Sequence, residues 1–71
     1  MKTKYKFIHM EENVLFERSW NICNNKSGNA IGFIEWYVEW KKYVFQSNGT
    51  AVFSIDCLED IIHFIKQLEG R

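Results

Sequence analysis

The stretch that decides the fold is WNICNNKSGNAIGFIEW, residues 20–36. Near its middle, residues 25–28 read Asn-Lys-Ser-Gly, which suits a type I turn closed by a glycine in the left-handed region. Such a turn makes a three-residue hairpin loop with a bulge. We therefore predict an antiparallel β-hairpin, with one strand over residues 14–24 and the next over residues 30–38.

The turn fixes the register of this hairpin, and the register decides which side chains share a face. One face then has the character of a core, with the pairs Ile22 and Gly32, Trp20 and Ile34, and Arg18 and Trp36. The other face is more polar, with the pairs Cys23 and Ile31, Asn21 and Phe33, Ser19 and Glu35, and Glu17 and Tyr37. A two- or four-residue loop would place Trp20 beside Phe33 or Glu35 and mix the two faces, so the bulged turn is favoured.

The next reversal falls at residues 39–40, and a two-residue turn there leads into a strand over residues 42–47. The cross-strand pairs that follow are Trp36 with Tyr43 and Ile34 with Phe45. Residues 48–49, Asn-Gly, are a strong hairpin signal, which predicts a last strand over residues 50–54.

A first strand is predicted over residues 4–10, where lysines alternate with other residues and would discourage edge-to-edge aggregation. The Asn-Gly turn at the other end of the sheet pairs Phe45 with Val52. One face of the sheet therefore collects a large apolar and aromatic set: Phe16, Trp20, Ile22, Ile34, Trp36, Tyr43, Phe45 and Val52.

A helix is predicted over residues 56–69. Its apolar residues recur at the i, i+3, i+4, i+7 spacing of a single stripe, namely Leu58, Ile61, Ile62, Ile65 and Leu68. Asp56 and Glu59 have the spacing of a capping box, and Gly70 follows the last turn. We expect the stripe to lie on the aromatic face of the sheet, with Gly32 giving the backbone room for close approach.

The predicted fold is α+β, a four- to five-stranded antiparallel meander sheet with one C-terminal helix packed on one face, βββββα or ββββα. The chain has 71 residues, and we expect a single domain over residues 1–71. Its six Phe, three Trp and three Tyr supply the burial that a small chain needs, since each ring buries about 150–250 Å². The nine basic and nine acidic residues cancel, which argues against binding nucleic acid mainly through its phosphates and favours self-association.

Cysteine usage and hydropathy indicate a cytoplasmic protein. Cys23 and Cys57 are too few for a disulfide scaffold, and no signal peptide precedes them, so we expect reduced thiols in the cytoplasm. If the chain is encoded by a phage, this is the cytoplasm of the host cell. No apolar run approaches the about 20 residues that span a bilayer, so no membrane partner is expected.

No group of residues in the sequence predicts catalysis or metal binding. His9, Cys23, Cys57 and His63 are scattered, whereas zinc sites have three or four ligands with paired local spacing. Cys23 with either histidine lacks a strained elbow or an oxyanion-binding loop. We therefore predict no catalytic residue, no metal and no cofactor, and a protein that is not an enzyme.

The second face of the sheet is the candidate functional surface. One helix cannot cover both faces, and this face mixes apolar and polar side chains in the manner of an interface: Ile31, Phe33, Tyr37, Val44 and Phe53 among Ser19, Asn21, Glu17, Glu35, Lys42 and Gln46. The alternatives are partial shielding by the N-terminal strand or ordinary exposed apolar residues. The predicted binding residues are Phe33, Tyr37, Trp40, Lys42 and Ile31.

Several motifs resemble a family of very short proteins found in bacterial genomes and in phages or prophages. They are Trp20-Asn21-Ile22, Asn25-Lys26-Ser27-Gly28, Gly32-Phe33-Ile34-Glu35-Trp36-Tyr37, Trp40-Lys41-Lys42-Tyr43-Val44-Phe45, Asp56-Cys57-Leu58-Glu59-Asp60-Ile61 and Phe64. The resemblance spans residues 20–68 and supports the fold, but it transfers no active site. The proline-bearing insertion usual before the final strand is absent here. Phage association implies an accessory protein, one that blocks a host enzyme or captures a signalling nucleotide.

The leading functional hypothesis is a small non-enzymatic binding or accessory protein, a homodimer that holds a protein partner through its second sheet face or an edge strand. A second hypothesis comes from architecture, because four strands followed by a helix resemble the positive-cofactor type of single-stranded DNA-binding domain. In that case aromatic residues would stack on bases beside lysines: Phe33, Tyr37 and Trp40 with Lys4, Lys6, Lys41 and Lys42. The third hypothesis is a homo-oligomer that captures a nucleotide between aromatic residues of two subunits.

Overall fold

The computed structural model describes residues 1–70 and contains four strands and one helix: β1 (Ile8–Glu12), β2 (Ser19–Asn24), β3 (Ala30–Tyr37), β4 (Lys42–Ser47) and α1 (Ile55–Leu68). The strands form one antiparallel sheet in the order β1-β2-β3-β4. The ββββα form of the prediction is thereby confirmed. The prediction of a fifth strand over residues 50–54 is wrong, since this segment pairs with no strand among the described residues.

The β2–β3 hairpin has the predicted register over most of its length. Trp20 lies opposite Ile34 and Ile22 opposite Gly32, and Gly28 closes the turn in the left-handed region with φ +78°. The register then shifts by one residue after Ile22, so that Cys23 lies opposite Ala30 rather than Ile31. The N–H of Asn24 donates to the carbonyl of Asn29 (2.9 Å), so the loop has four residues, and the predicted three-residue loop is wrong. The extra residue, Ile31, packs against the buried core, which corrects its predicted place on the second face.

The β3–β4 pairs are also as predicted, with Trp36 opposite Tyr43 and Ile34 opposite Phe45. The connection is a four-residue turn over residues 38–41 rather than a two-residue turn. Because the loop is longer by one residue on each side, the register of the two strands does not change. β3 consequently ends at Tyr37, one residue earlier than predicted.

The Asn-Gly signal at residues 48–49 makes a turn that leaves the sheet instead of returning along it. The N–H of Asn48 still donates to the carbonyl of Ile31 (2.9 Å). The chain then crosses to the helix side, where the rings of Phe53 and Phe45 meet edge to face at 5.0 Å. Val52 therefore does not pair with Phe45 but is 89% exposed, and Phe53 is not on the second face.

Ser54 caps α1, because its Oγ accepts a hydrogen bond from the N–H of Cys57 (3.3 Å). The predicted capping box of Asp56 and Glu59 is therefore wrong. Asp56 lies in the first turn, where a carboxylate favours the helix dipole. The helix begins and ends one residue earlier than predicted.

The core lies between α1 and one face of the sheet. Its buried apolar residues are Ile8, Met10, Ile22, Ile34, Cys57, Ile61 and Phe64. Phe64 is fully buried and packs edge to face on Trp20, with ring centroids 5.0 Å apart. Because Phe64 occupies this central position, the helix is rotated relative to the prediction, and Leu58 and Ile62 are exposed.

The beginnings of the first two strands differ from the prediction. β1 runs later than residues 4–10, and Lys4 contributes only an isolated bridge to His9. β2 begins at Ser19 instead of residue 14 because residues 14–18 form turns and bends, with Arg18 at φ 55°. Phe16 is therefore exposed rather than part of the core, and Glu17 is not in a strand opposite Tyr37.

Gly32 does provide close approach, but toward β4 rather than toward the helix. A Cβ at this position would lie 2.7 Å from the carbonyl oxygen of Gln46 and 3.1 Å from the Phe45 ring. Only glycine therefore lets β3 and β4 pair at this point without a shift of the backbone. Within residues 1–70, no helix is long and apolar enough to cross a membrane.

Candidate functional site

A groove of about 490 Å³ lies at the end of the second sheet face. It is lined by Asn13, Phe16, Glu17, Ser19, Asn21, Phe33, Glu35 and Trp36. The turn before β2 places Phe16 and Glu17 beside the sheet, and this turn is joined to β3 by a hydrogen bond from the Trp36 N–H to the Arg18 carbonyl (3.0 Å). The groove is therefore built from both the sheet and the loop.

The chemistry of this groove is amphipathic and acidic. The ring of Phe33 provides apolar surface, while Glu17 and Glu35 provide carboxylates. The Nε2 of Gln46 donates a hydrogen bond to Glu35, which holds that carboxylate in place. Such a lining suits a polypeptide with apolar and basic side chains better than it suits a phosphate backbone, which carries negative charge.

The predicted binding residues fall into three places. Phe33 lines the groove, and Ile31 is packed against the core. Tyr37, Trp40 and Lys42 come together at the β3–β4 turn, where the rings of Tyr37 and Trp40 meet edge to face at 5.0 Å and Lys42 pairs with Tyr37 across the strands. The five residues therefore do not form one site.

The two sides of α1 differ in what they contact. On one side the Tyr5 hydroxyl and His63 Nδ1 share a hydrogen bond of 2.8 Å. On the same side Gln67 bonds twice with the backbone of Lys2, with both distances 2.8 Å. Burial and the nearby carboxylate of Asp60 raise the pKa of Tyr5. This side of the helix is therefore occupied by the N-terminal segment.

The other side of α1 is apolar and exposed, and we call it the apolar flank: Ile55, Leu58 and Ile62, which are 74%, 39% and 52% exposed. Their i, i+3, i+7 spacing puts them in one row along the helix. The helical repeat places this row and the His63 side on opposite sides of the buried stripe. Because the His63 side contacts the N-terminal segment next to β1, the apolar flank lies toward β4, the strand that α1 approaches most closely.

β4 is the edge strand beside this flank, and its outer side pairs with no strand within the described residues. The Trp36 N–H points toward β2. In an antiparallel ladder, its partner Tyr43 therefore directs its N–H and carbonyl away from β3, and Phe45, two residues on, does the same. The free hydrogen-bonding groups of the sheet thus lie next to the apolar flank.

The apolar helix positions that form this flank are visible in the sequence, but our prediction assigned them wrongly to the core. Leu58 and Ile62 belong to the predicted buried stripe, yet Cys57 and Phe64 also contribute apolar surface to the helix. Together with Ile55 they make the apolar arc broader than the single stripe that one sheet face can bury. An arc of that width predicts a helix with apolar contacts on more than one side.

No protein-family model matches the chain, and neither does any curated protein or solved structure.

Proposed function

We propose that this protein is a non-enzymatic binding protein that forms a homodimer through β4 and the apolar flank of α1. The observation that carries the proposal is the coincidence of the two features on one side of the molecule. An open strand edge supplies backbone donors and acceptors, and Leu58 and Ile62 supply exposed apolar surface beside it. Strand addition to an edge uses backbone hydrogen bonds for affinity and neighbouring side chains for specificity.

A second copy of the chain is the partner that fits this surface best. Antiparallel pairing of β4 with β4 of another copy is a two-fold, self-complementary contact. It would join the two sheets into one continuous sheet and bring the two apolar flanks together over the joint. Zero net charge leaves no overall repulsion between the copies.

The composition of β4 also supports pairing. Edge strands that stay unpaired in solution usually carry charges, proline or a bulge. β4 reads KYVFQS, so its one charge, Lys42, stands at the first position. Neither a proline nor a register shift interrupts the strand. Lys42 at the first position is therefore the one feature of β4 that opposes pairing.

A stable dimer of this kind needs both features in the contact. A standard interface buries about 800 Å² on each partner, and apolar burial contributes about 25 cal/mol per Å². The apolar flank and Val52 provide the apolar part, and β4 provides the hydrogen bonds. Either feature alone would give a smaller and weaker contact.

The groove on the second face stays open in this dimer, and we propose it as the place where a protein partner binds. Its support is the mixed lining of Phe33 with Glu17 and Glu35. A role as a phage-type accessory protein that inhibits a host factor would act through this groove. The same carboxylates oppose binding of single-stranded nucleic acid or of a nucleotide, so these alternatives have less support.

The dimer is tested by sedimentation equilibrium of the full chain at micromolar concentration. We expect a dimer for the unmodified protein and a monomer for the double variant Leu58→Glu/Ile62→Glu, since four buried carboxylates would face one another across the two-fold axis. Leu15→Glu is the control, because Leu15 is also an exposed apolar residue (81%) but lies in the turn before β2. It should remain a dimer.

Far-ultraviolet circular dichroism then shows whether each variant is folded. A folded, monomeric unmodified protein would refute the dimer, and so would a double variant that dimerises as well as the control.

To test the groove, a labelled single-stranded nucleic acid is titrated with the protein at low and at high salt. A salt-sensitive affinity would contradict the preference for a protein partner.

A further inference from the structure

The pairing of β1 with β2 brings together three side chains that the sequence separates. His9 lies opposite Cys23, and Glu11, two residues beyond His9, extends from the same face of the sheet. One nitrogen of His9, the Sγ of Cys23 and one carboxylate oxygen of Glu11 all lie within 4.8 Å of one another. We refer to these residues as the His9–Glu11–Cys23 cluster.

Hydrogen bonds fix the orientation of the His9 ring. Asn25 donates from Nδ2 to the carbonyls of Tyr5 (2.9 Å) and Lys6 (3.2 Å), so its Oδ1 is the atom that faces His9. Nδ1 of His9 lies 2.6 Å from this oxygen and must therefore carry the proton as the donor. Nε2 is then the nitrogen directed toward Glu11, 2.9 Å away.

We propose that the His9–Glu11–Cys23 cluster is a metal site that binds one divalent transition-metal ion, with zinc as the best fit. An imidazole nitrogen, a thiolate and a carboxylate are all ligands that zinc accepts, and three protein ligands leave a fourth position for water. The hydrogen bond from Nδ1 to Asn25 is the kind of second-shell contact that orients a metal-bound histidine. The proposal departs from the prediction of no metal site, which treated His9 and Cys23 as scattered.

The cluster is buried at Cys23 and exposed at Glu11, so an ion can enter from solvent. Cys23 is 4% exposed, whereas the side chain of Glu11 is 62% exposed and opens the cluster to solvent. Without an ion, burial and Glu11 raise the pKa of the Cys23 thiol, so the sulfur carries its proton. When the ion binds, the Cys23 thiol and the Nε2–H that faces Glu11 each release a proton to solvent, and sulfur, nitrogen and oxygen then each donate a lone pair to the metal.

The alternative is a simple ion pair between His9 and Glu11. Asn25 and Glu11 both raise the pKa of His9, because an imidazolium can donate from both ring nitrogens at once. In that case Cys23 is only a small buried residue beside the pair. The two accounts differ in one respect that can be measured, which is whether the thiolate takes part in binding a metal.

The experiment uses the full chain, reduced and treated with a chelator, which is then titrated with Zn²⁺ in competition with a chromophoric chelator. We expect one ion per chain. Co²⁺ as a second probe should give an absorption band for charge transfer from thiolate to cobalt. Cys23→Ser should abolish this band and should weaken zinc binding by more than the about 10–100-fold that loss of a second-shell contact costs.

Three further variants separate metal binding from folding. Glu11→Gln changes an exposed side chain, keeps the fold and should weaken zinc binding at least tenfold. Cys57→Ala and His63→Gln are the matched controls, since they alter the other cysteine and the other histidine and should leave zinc affinity unchanged. Failure to bind one ion per chain, or equal affinity in Cys23→Ser and Cys57→Ala, would overturn the proposal.

The metal site does not depend on the proposed dimer, because β1 and β4 are opposite edges of the sheet. The Leu58→Glu/Ile62→Glu variant should therefore bind Zn²⁺ with unchanged affinity. Loss of zinc binding in that variant while it remains folded would contradict the assignment of the ion to β1 and β2.

Discussion

The two edges of the sheet differ in whether the chain itself covers them. At the β1 edge the chain folds back on itself, and the N–H of Met10 donates to the carbonyl of Thr3 (2.8 Å). At the β4 edge the outward groups of Tyr43 and Phe45 meet no strand among the described residues. One edge is therefore closed within the molecule, while the other is open.

The sides of α1 follow the same division. Above the closed edge the helix presents polar side chains, and His63 and Gln67 bond with the N-terminal segment. Above the open edge it presents Leu58 and Ile62, which are exposed. Where the chain supplies a partner, the helix surface is matched to it by hydrogen bonds. Where the chain supplies none, the surface is apolar, which is the character expected of an interface core.

The largest effect is expected for Phe64→Ala, since Phe64 holds both sides of the helix in position. It is fully buried against Trp20, and such truncations cost about 3–5 kcal/mol. Thermal unfolding followed by circular dichroism should show a loss of unfolding free energy that leaves little stability in a chain of this size. The control, Ile62→Ala at low protein concentration, should cost less than about 1 kcal/mol because that side chain is half exposed.

The next largest effect is expected for Gly32→Ala, which would disturb the strand at the open edge. The added Cβ would come 2.7 Å from the Gln46 carbonyl, so β4 must move away from β3 at a cost of about 1–3 kcal/mol. Urea unfolding measures the loss of stability. Ser47→Ala, at the position that pairs with Gly32, is the control and should be close to neutral.

A smaller effect is expected for Tyr5→Phe at the closed edge. The substitution removes the hydroxyl that bonds with His63 Nδ1, and a hydrogen bond of this kind contributes about 0.5–1.5 kcal/mol. Because the Tyr5 site is partly open to solvent, the lower end of this range is expected. The Met10 amide should exchange faster than in the unmodified protein, while β4 amides should be unaffected. An unchanged Met10 amide would mean that the Tyr5 contact does not close this edge.

The strand pairing could be predicted from the sequence where a short loop joins two neighbouring strands. The pairs Trp20–Ile34 and Ile22–Gly32 were predicted correctly because the extra residue Ile31 offsets a loop that is one residue longer than predicted. The loop between β3 and β4 is one residue longer than predicted at each end, so the two strands keep the predicted register. The predicted lengths of both loops were wrong, yet the central strand pairs were right.

The parts of the fold that were predicted wrongly depend on packing between segments that are distant in sequence, which local patterns do not encode. Phe53 leaves the sheet to reach the helix side of Phe45, and this prevents a fifth strand. Phe64 rotates α1 and exposes Leu58 and Ile62. The candidate metal site was missed because the connection between β1 and β2 has no turn signature that would set His9 opposite Cys23.

The central claim is that the open edge is closed by a second copy of the chain. Amide hydrogen exchange at several protein concentrations tests it most directly, because both edges are observed in one experiment. We predict that the amides of Tyr43 and Phe45 exchange more slowly as concentration rises, while the Met10 amide exchanges slowly at every concentration. Exchange at Tyr43 and Phe45 that does not change with concentration would contradict the account.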